Sequence, residues 1–253
     1  MLTAHGVTHT GHVLTTNEDT LLIDLDLGLF LVADGMGGHV AGEVAARLAA
    51  DTIRSFVARS RDGGKCTWPF GIDPDCSFAA NRLRTAVQLA NRRVFRASES
   101  RDEYTGMGTT VVAALIEDDQ LAFAGVGDSR IYAYTDASLR QLTTDDSWVT
   151  TVLARDPEVD AATLATHPMR HVLTNAIGAR DETEVEIGER TLADGEVLLL
   201  CSDGLYGGLE DETLGDILGS GVDVALAAQR LLDAALERGG TDNITAVLLR
   251  RAA

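Results

Sequence analysis

The amino-acid sequence predicts an α+β fold in which antiparallel sheets are covered on both faces. Apolar runs of strand length lie next to one another and are separated by tight turns, which favours antiparallel pairing. Segments with helical periodicity come in separate blocks instead of alternating with each strand, which argues against a parallel α/β sheet. Several strand-like runs are apolar throughout, so neither face of the sheet is expected to meet solvent.

The chain contains both kinds of element along its length. The predicted strands are residues 20–25, 28–33, 109–116, 120–126, 129–134, 196–201 and 243–249. Apolar residues at helical spacing predict helices. These helices are residues 42–59, 77–98 and 222–238, with a short helix near 147–155. The glycine pair at 239–240 is a stop signal for the last long helix.

Four arginines of the helix at 77–98 fall mostly on the face opposite its apolar stripe. We predict that this face is solvated and is not an anion site. The arginines are Arg82, Arg84, Arg92 and Arg93. The segment before this helix, 59–76, is rich in glycine and proline and is predicted to be a loop.

The charge balance excludes some classes of partner. The net charge is −18, from 39 acidic and 21 basic residues, and Lys65 is the sole lysine. Nucleic acids and anionic membranes require clustered basic residues, so neither is expected as a partner. Carboxylates gathered within the fold would instead favour divalent cations.

The cysteines and the N-terminal sequence suggest a reducing, cytoplasmic environment. Three cysteines give no regular disulfide framework. A bond between Cys66 and Cys76 remains an open alternative. We find no signal peptide and no run of apolar residues long enough to span a membrane, so a cytoplasmic protein is expected.

An aspartate lies at the end of an apolar strand four times. These aspartates are Asp34, Asp128, Asp203 and Asp242. If the strands share one scaffold, the carboxylates converge, and only protonation or cations would offset their repulsion. An all-oxygen set of ligands favours Mg²⁺ or Mn²⁺ over zinc. The alternative is that each Asp-Gly pair is an ordinary turn.

Eight sequence blocks occur in an order that resembles a known family. They are TTNED (15–19), VADGMGGHVAGEVA (32–45), GMGTTVVAA (106–114), GVGDSRIYAY (125–134), LTTDDS (142–147), HVLTNAIG (171–178), LLLCSDGLYGGL (198–209) and GGTDNITAVLL (239–249). Together they resemble the bacterial branch of the metal-dependent protein serine/threonine phosphatases of type 2C. The resemblance extends over essentially the whole chain.

The resemblance implies a fold and a domain organisation. The fold is a four-layer sandwich, with two antiparallel sheets packed face to face and helix pairs outside. Residues 1–253 would form a single catalytic domain, in which the segment at about 147–170 resembles the family's mobile flap. The protein is expected to be a monomer.

The resemblance also implies a centre of two Mn²⁺ or Mg²⁺ ions. Asp34 resembles the carboxylate that bridges both ions, and the Gly35 carbonyl would bind the second ion. Asp203 and Asp242 would complete the shell of the first ion. The remaining positions are Asp19 and Glu18, which would hold metal-bound waters or bind directly, and Asp128, which with Asp203 resembles a third, weaker metal site. An open backbone at Gly35, Gly37 and Gly38 would suit this arrangement.

The implied activity is hydrolysis of phosphoserine and phosphothreonine in proteins. Asp34, Asp19, Asp203 and Asp242 would act through a metal-bridging water. The partners would be phosphorylated proteins and a cognate serine/threonine kinase, whose action the enzyme would reverse. No protein nucleophile is needed, and Cys201 is predicted to be a core residue. A hydrolase of small phosphoesters is a more remote hypothesis.

One departure from the family pattern bears on substrate binding. The family usually has an arginine that holds the substrate phosphate where this chain has Leu14. In one interpretation the metals alone hold the phosphate, helped by His12, which would share a strand face with Leu14. In the other, the chain is a weakly active module that binds or regulates phosphoproteins.

Two smaller departures and three open assignments concern other positions. Met36 occupies a position where some members have a histidine proposed as general acid, and His39 belongs to the glycine-rich turn, where we expect no catalytic part. Asp146 replaces a histidine of the pattern, with a small effect expected. Arg170 is interpreted as a surface residue, with attraction of phosphate as the alternative. Asn243 either orients Asp242 or is an ordinary turn residue.

Overall fold

The computed structural model describes residues 2–37, 41–61, 66–156, 159–160, 163–164 and 167–252. Its strands are β1 Leu2–His9, β2 Thr20–Asp24, β3 Leu29–Ala33, β4 Gly35–Met36, β5 Gly108–Thr109, β6 Val111–Glu117, β7 Gln120–Val126, β8 Arg130–Thr135, β9 Ser138–Gln141, β10 Glu186–Thr191, β11 Val197–Cys201 and β12 Ile244–Arg251. Its helices are α1 Ala41–Ser60, α2 Phe78–Ser100, α3 Trp148–Arg155, α4 Asp203–Tyr206, α5 Asp211–Gly219 and α6 Val224–Glu237, with a 3₁₀ turn at Asp102–Tyr104.

The strands form two five-stranded antiparallel sheets. The first has the order β1-β12-β11-β8-β9 and the second the order β10-β7-β6-β3-β2, while β4 and β5 form a separate short pair. The predicted α+β class and antiparallel pairing are therefore confirmed. All seven predicted strands are present with small changes at their ends.

The three longer strands that the pattern missed, β1, β9 and β10, all lie at sheet edges. Edge strands have one side that is not paired with another strand, and they carry more polar residues than central strands. The sequences LTAHGVTH, SLRQ and EIGERT accordingly lack a continuous apolar run. Their composition explains why they were not predicted.

Alternation along the central strands produces the four predicted layers. In β3, Phe30 and Val32 contribute to a core with Leu198 and Leu200 of the opposite sheet. The remaining residues of β3, such as Leu31, pack into a second core with α1 and α2. A third core lies between the first sheet and α5 and α6. Helices therefore cover the outer face of each sheet.

The prediction for the arginines of α2 is wrong for Arg82. Its side chain is 1% exposed and forms an ion pair with Glu117. It also donates hydrogen bonds to the Ser60 hydroxyl (3.2 Å) and the Val57 carbonyl (2.7 Å) at the end of α1. The face is covered because α1 packs against α2 on that side. Buried arginine requires this full set of partners.

The other arginines of this face also have partners. Arg84 forms a 3.1 Å ion pair with Asp73, and Arg93 donates to the Thr52 hydroxyl at 3.2 Å. The guanidinium of Arg92 lies 4.3 Å from the centre of the Phe70 ring. A helical pattern gives the angular position of a residue but not what the neighbouring segments place against it.

Two further expectations concern membranes and disulfides. Among the described residues, no helix combines the length and apolarity needed to cross a membrane. Cys66, Cys76 and Cys201 are all unpaired, so the alternative of a Cys66–Cys76 bond is not observed. Cys201 is fully buried in β11, as predicted.

Candidate active site

Asp34 lies between β3 and β4, and hydrogen bonds to the next sheet element fix its backbone. Its N–H donates to the Thr110 hydroxyl at 3.1 Å. Its carbonyl accepts from the Thr110 N–H at 2.9 Å and from the Thr109 hydroxyl at 2.8 Å. The Asp34 side chain is therefore presented from a rigid backbone.

Gly35 is required by close packing beside Asp34. A side chain at this position would overlap the backbone carbonyl of Gly42 at the start of α1. The carboxylate of Glu18 lies against Gly42 as well. The predicted metal residues Glu18, Asp34 and Gly35 are thus brought together around the N-terminal turn of α1. Gly38 and His39 lie outside the described residues.

Asp203 and Asp242 are held at adjoining ends of β11 and β12. Asp203 is the first residue of α4, directly after the buried Ser202. The Asp242 carboxylate accepts from the Asn243 N–H at 2.7 Å. A side chain at Gly204 would overlap the Asn243 carbonyl, so the two strand ends are in direct contact.

Asn243 joins the loop at residues 10–18 to the start of β12 through three hydrogen bonds. Its side-chain oxygen accepts from the Glu18 N–H at 2.8 Å. Its side-chain nitrogen donates to the carbonyls of Thr10 and Thr16, at 3.0 Å each. The side chain is 4% exposed. Asn243 therefore fixes the positions of Thr10, Thr16 and Glu18. It is more than an ordinary turn residue.

Asp19 faces the same region from the chain segment before β2. One carboxylate oxygen accepts from the Ser202 hydroxyl at 2.9 Å. The other oxygen, Oδ1, is buried and has no hydrogen-bond partner among the described residues. A buried carboxylate oxygen without a donor is unfavourable unless a cation contacts it.

The five predicted aspartates influence one another electrostatically. Burial raises the pKa of Asp34 well above its ordinary value, and the charges of Asp19, Asp203, Asp128 and Asp242 raise this pKa further. Burial is also the main cause that raises the pKa of Asp19 to about 6 and that of Asp128 to about 7. Such shifts require carboxylates that are close together and poorly solvated.

The donor set suits hard divalent cations. Over the described ranges, no group of three or more His, Cys, Asp or Glu side chains is arranged to hold a metal ion as it stands. Carboxylates repel one another unless a cation lies between them. Carboxylates that share one region without closing around a point are therefore compatible with cation binding. The unpartnered Oδ1 of Asp19 and the shared pKa shifts fit such a cation better than an ordinary set of turns.

Asp128 lies in the turn between β7 and β8 and has its own support. Its backbone carbonyl accepts from the Tyr206 hydroxyl at 2.8 Å. The guanidinium of Arg130 lies 3.6 Å from the centre of the Tyr206 ring and forms a 2.7 Å ion pair with Asp145. Tyr206, Ser202 and Thr110 were not identified from the sequence, although all three lie inside the quoted blocks.

A cavity of about 320 Å³ opens beside Asp203 and Asp242. Its lining residues are Arg170, His171, Asp203, Gly204, Gly207, Gly208, Ala235, Arg238, Gly240, Thr241 and Asp242. Arg170, interpreted from the sequence as a surface residue, thus contributes to the wall of this cavity. The cavity has the position expected for a substrate cleft next to the carboxylates.

The expectation that His12 and Leu14 share a strand face is wrong. Strand β1 ends at His9, and residues 11–13 form a turn, so His12 and Leu14 do not share a strand face. The His12 N–H donates to the Gly240 carbonyl at 2.7 Å. Leu14 is 44% exposed. The turn forms because the glycine at position 11 adopts a positive φ of 82°.

Asp146 has a structural contact that the sequence did not indicate. Its carboxylate accepts from the Gly127 N–H at 3.0 Å and from the Asn175 side chain at 2.9 Å. Its backbone carbonyl accepts from the Thr174 N–H at 2.8 Å. Asp146 therefore attaches the segment around Asn175 to the turn that carries Asp128.

Comparison with known proteins agrees with this architecture. A family model described as protein phosphatase 2C matches residues 12–247. The serine/threonine phosphatase stp of Listeria welshimeri is 35% identical over 227 residues, which cover 88% of this chain and 84% of that protein.

Solved structures are similar over the full length of the chain. The crystal structure of the Mycobacterium tuberculosis serine/threonine phosphatase PstP/Ppp superposes with a TM-score of 0.85 at 32% identity, covering 100% of this chain and 99% of that one. The catalytic domain of a PstP in complex with two manganese ions gives a TM-score of 0.84 at 30% identity, with 100% and 99% coverage. By its sequence and its fold, the chain belongs to the protein phosphatase 2C family, in its bacterial branch.

Proposed function

We propose that this protein removes phosphate from phosphoserine and phosphothreonine in proteins, in a reaction that depends on Mn²⁺ or Mg²⁺. The observation that carries the proposal is the convergence of five aspartates from separate segments on one poorly solvated region. The unpartnered Oδ1 of Asp19 supports it. Membership of the phosphatase family and the manganese complex of a similar catalytic domain agree with it.

The residues that would hold two cations are those predicted from the sequence. They are Asp34, Gly35, Asp203 and Asp242, with Asp19 and Glu18 as direct or water-mediated ligands and Asp128 at a third, weaker position. Divalent cations, when bound, would offset the negative charge of the phosphoryl oxygens. They would also lower the pKa of a water molecule, so that hydroxide is available to attack phosphorus.

The protein's own groups position these ligands. The Ser202 hydroxyl orients the Asp19 carboxylate, and Asn243 holds Glu18 and Asp242 in register. Residues of the β5–β6 segment fix the backbone of Asp34. These contacts restrain the carboxylates of Asp19 and Asp242 and the backbones of Glu18 and Asp34 without placing a cation beside any of the four side chains, which leaves their charge for a metal ion.

The side chains near the site do not favour a covalent mechanism. Ser129 is 2% exposed and its hydroxyl is hydrogen-bonded to Thr110 at 2.6 Å. Ser202 and Cys201 are both fully buried. Burial is the main cause that raises the pKa of the Cys201 thiol, which opposes formation of a nucleophilic thiolate.

The proposal includes the finer points that the family membership leaves open. We infer that the substrates are phosphoproteins of a cognate serine/threonine kinase and that the enzyme reverses its action. Residues 1–253 would act as one catalytic domain, as a monomer in the cytoplasm. The three unpaired cysteines agree with a reducing compartment.

A phosphopeptide assay tests the proposal. Phosphate release from a phosphothreonine peptide should appear with Mn²⁺ or Mg²⁺, stop with chelator and be lost in Asp34→Asn. The matched control is Asp136→Asn, which changes an exposed aspartate outside the site and should keep wild-type activity. Tight peptide binding without release would instead support a phosphoprotein-binding module. Faster turnover of small phosphoesters than of peptides would change the substrate class.

A further inference from the structure

The cavity beside Asp203 and Asp242 is also lined by cationic residues. Arg170 and Arg238 both line it, together with His171. The two aspartates line the same cavity. An anionic group entering this cavity would therefore meet both the arginines and the candidate metal ligands.

Arg238 is available for such a group. Its side chain is exposed, and its guanidinium makes no ion pair or hydrogen bond with any residue in the described part of the chain. Among the described residues, the Arg170 side chain makes one long contact, a 3.5 Å hydrogen bond to the His167 carbonyl. Neither guanidinium forms an ion pair with a carboxylate in the described ranges, in contrast to Arg82 and Arg130, which both do.

The glycines in the cavity lining also suit close approach of a small anion. Gly204, Gly207, Gly208 and Gly240 line the cavity without side chains. In a protein of net charge −18, a phosphate dianion near two carboxylates needs local positive charge to enter. Guanidinium groups bind phosphate through paired hydrogen bonds and are the preferred side chains for this purpose.

The position of Arg238 relates it to the altered residue Leu14. Arg238 precedes the glycine pair at 239–240, and the loop that carries Leu14 is hydrogen-bonded to that pair through His12 and Gly240, at 2.7 Å. Asn243 connects the same loop through the Thr16 carbonyl. An arginine at position 238 therefore lies close in the fold to the loop where this chain has an apolar residue.

We propose that Arg238, acting with Arg170 in the same cavity, binds the phosphate group of the substrate and supplies the cationic contact that position 14 lacks. The proposal rests on the proposed phosphatase function, which it makes more specific. A merely structural role for Arg238 is the alternative, because a cation after the last turn of α6 also stabilises the helix dipole.

Calorimetric titration of the Mg²⁺-loaded protein with inorganic phosphate tests the proposal. We expect Arg238→Ala and Arg170→Ala each to weaken phosphate binding by about fivefold to tenfold, the effect of one partly exposed charge-assisted hydrogen bond. Arg238→Lys should keep more affinity than Arg238→Ala. The matched control is Arg230→Ala, which removes an exposed arginine of α6 that does not line the cavity.

Two further measurements exclude a structural effect. The affinity for Mg²⁺ and the thermal midpoint should be unchanged in Arg238→Ala, and peptide kinetics should show a higher KM with kcat largely retained. Wild-type affinity for inorganic phosphate in either alanine variant overturns the proposal. A second outcome also overturns the proposal. In this outcome an alanine variant binds inorganic phosphate like the wild type and binds only peptides with acidic flanking residues more weakly.

The phosphatase function and the role of the two arginines are tested by different measurements. If the wild type releases no phosphate from a phosphothreonine peptide at any Mn²⁺ or Mg²⁺ concentration, the proposed function fails. The affinities for inorganic phosphate still decide whether the two arginines form a binding wall.

Discussion

The hydroxyl of Tyr206 donates a 2.8 Å hydrogen bond to the backbone carbonyl of Asp128. This contact joins α4, which begins with Asp203, to the turn that carries a second acidic residue of the site. Arg130 lies over the Tyr206 ring and is held by Asp145. The position of Asp128 relative to Asp203 therefore depends on a residue that is not itself a candidate ligand.

Tyr206→Phe tests this dependence. Removing the hydroxyl leaves the Asp128 carbonyl without its donor, and we expect a loss of about 1 kcal/mol in the free energy of unfolding. The Mn²⁺ concentration needed for half-maximal activity should rise, since Asp128 becomes less well positioned. Activity measured over a Mn²⁺ titration checks this result. Tyr104→Phe, which removes a hydroxyl in the 3₁₀ turn and leaves the Asp128 carbonyl its donor, is the control.

Asp34→Asn should separate stability from activity. Asparagine has the same shape but removes a buried charge that four neighbouring carboxylates oppose. We expect the metal-free protein to gain about 1–2 kcal/mol of stability, the size usual for relieving a strained functional group. Phosphatase activity should fall by more than about a hundredfold, because even indirect partners of metal ligands contribute about 10–100-fold. Thermal unfolding in chelator measures the stability. A lower thermal midpoint in Asp34→Asn than in the wild type would contradict the repulsion between Asp34 and its neighbouring carboxylates.

Chelated protein should lose stability as the pH rises from about 4 to about 7. Folding raises the pKa of Asp128 from 3.8 to about 7 and that of Asp19 to about 6, so the folded state binds more protons than the unfolded state in this range. The free energy of unfolding then decreases with pH and levels off above the folded pKa values. Thermal midpoints at pH 5, 6 and 7.5 in chelator measure this slope. Asp128→Asn should flatten it, whereas Asp136→Asn should not.

Asn243→Ala should weaken the site and the fold together. The asparagine side chain makes hydrogen bonds to three backbone groups of the loop at residues 10–18. Their loss leaves buried backbone groups unpaired, so we expect a cost of about 2–3 kcal/mol in the free energy of unfolding. Metal affinity should fall as well, because Glu18 loses the hydrogen bond that fixes its backbone. Denaturant unfolding and Mn²⁺ titration measure the two effects, and an unchanged metal affinity would show that Asn243 only stabilises the fold.

Leu14→Arg should improve turnover of a small substrate. An added guanidinium at this exposed position would provide a further phosphate contact, and we expect kcat/KM for p-nitrophenyl phosphate to rise by about tenfold. Leu14→Gln, which adds polarity without charge, is the control. Identical kinetics for the arginine and glutamine variants would show that turnover of the small substrate is not limited by the lack of a cation in this loop.

The sequence predicted the central strands and the position of the aspartates because both depend on local pattern. An apolar run followed by Asp-Gly marks the end of the central strands β3 and β11, at Asp34 and Asp203. The edge strands β1, β9 and β10 have half-polar sequences and carry no such signal. Arg82 was placed in solvent because helical periodicity does not reveal that α1 covers it.

The supporting residues could not be predicted for a related reason. Tyr206, Ser202 and Asn243 act through contacts with residues about 80 to 230 positions away along the chain. A single sequence gives no distances of this kind. The blocks of the family pattern contain all three residues, but the pattern does not say which atom each one contacts.

The pairing of β1 with β12 brings the first and last strands of the fold side by side. Asp242 lies shortly before β12, and Asp19 follows the loop after β1, so the approach of these two aspartates depends on this pairing. Cation affinity should therefore arise only in a chain in which both strands have paired. Bound cations would in turn stabilise the pairing of the first and last strands, so that chelation should destabilise both strands together.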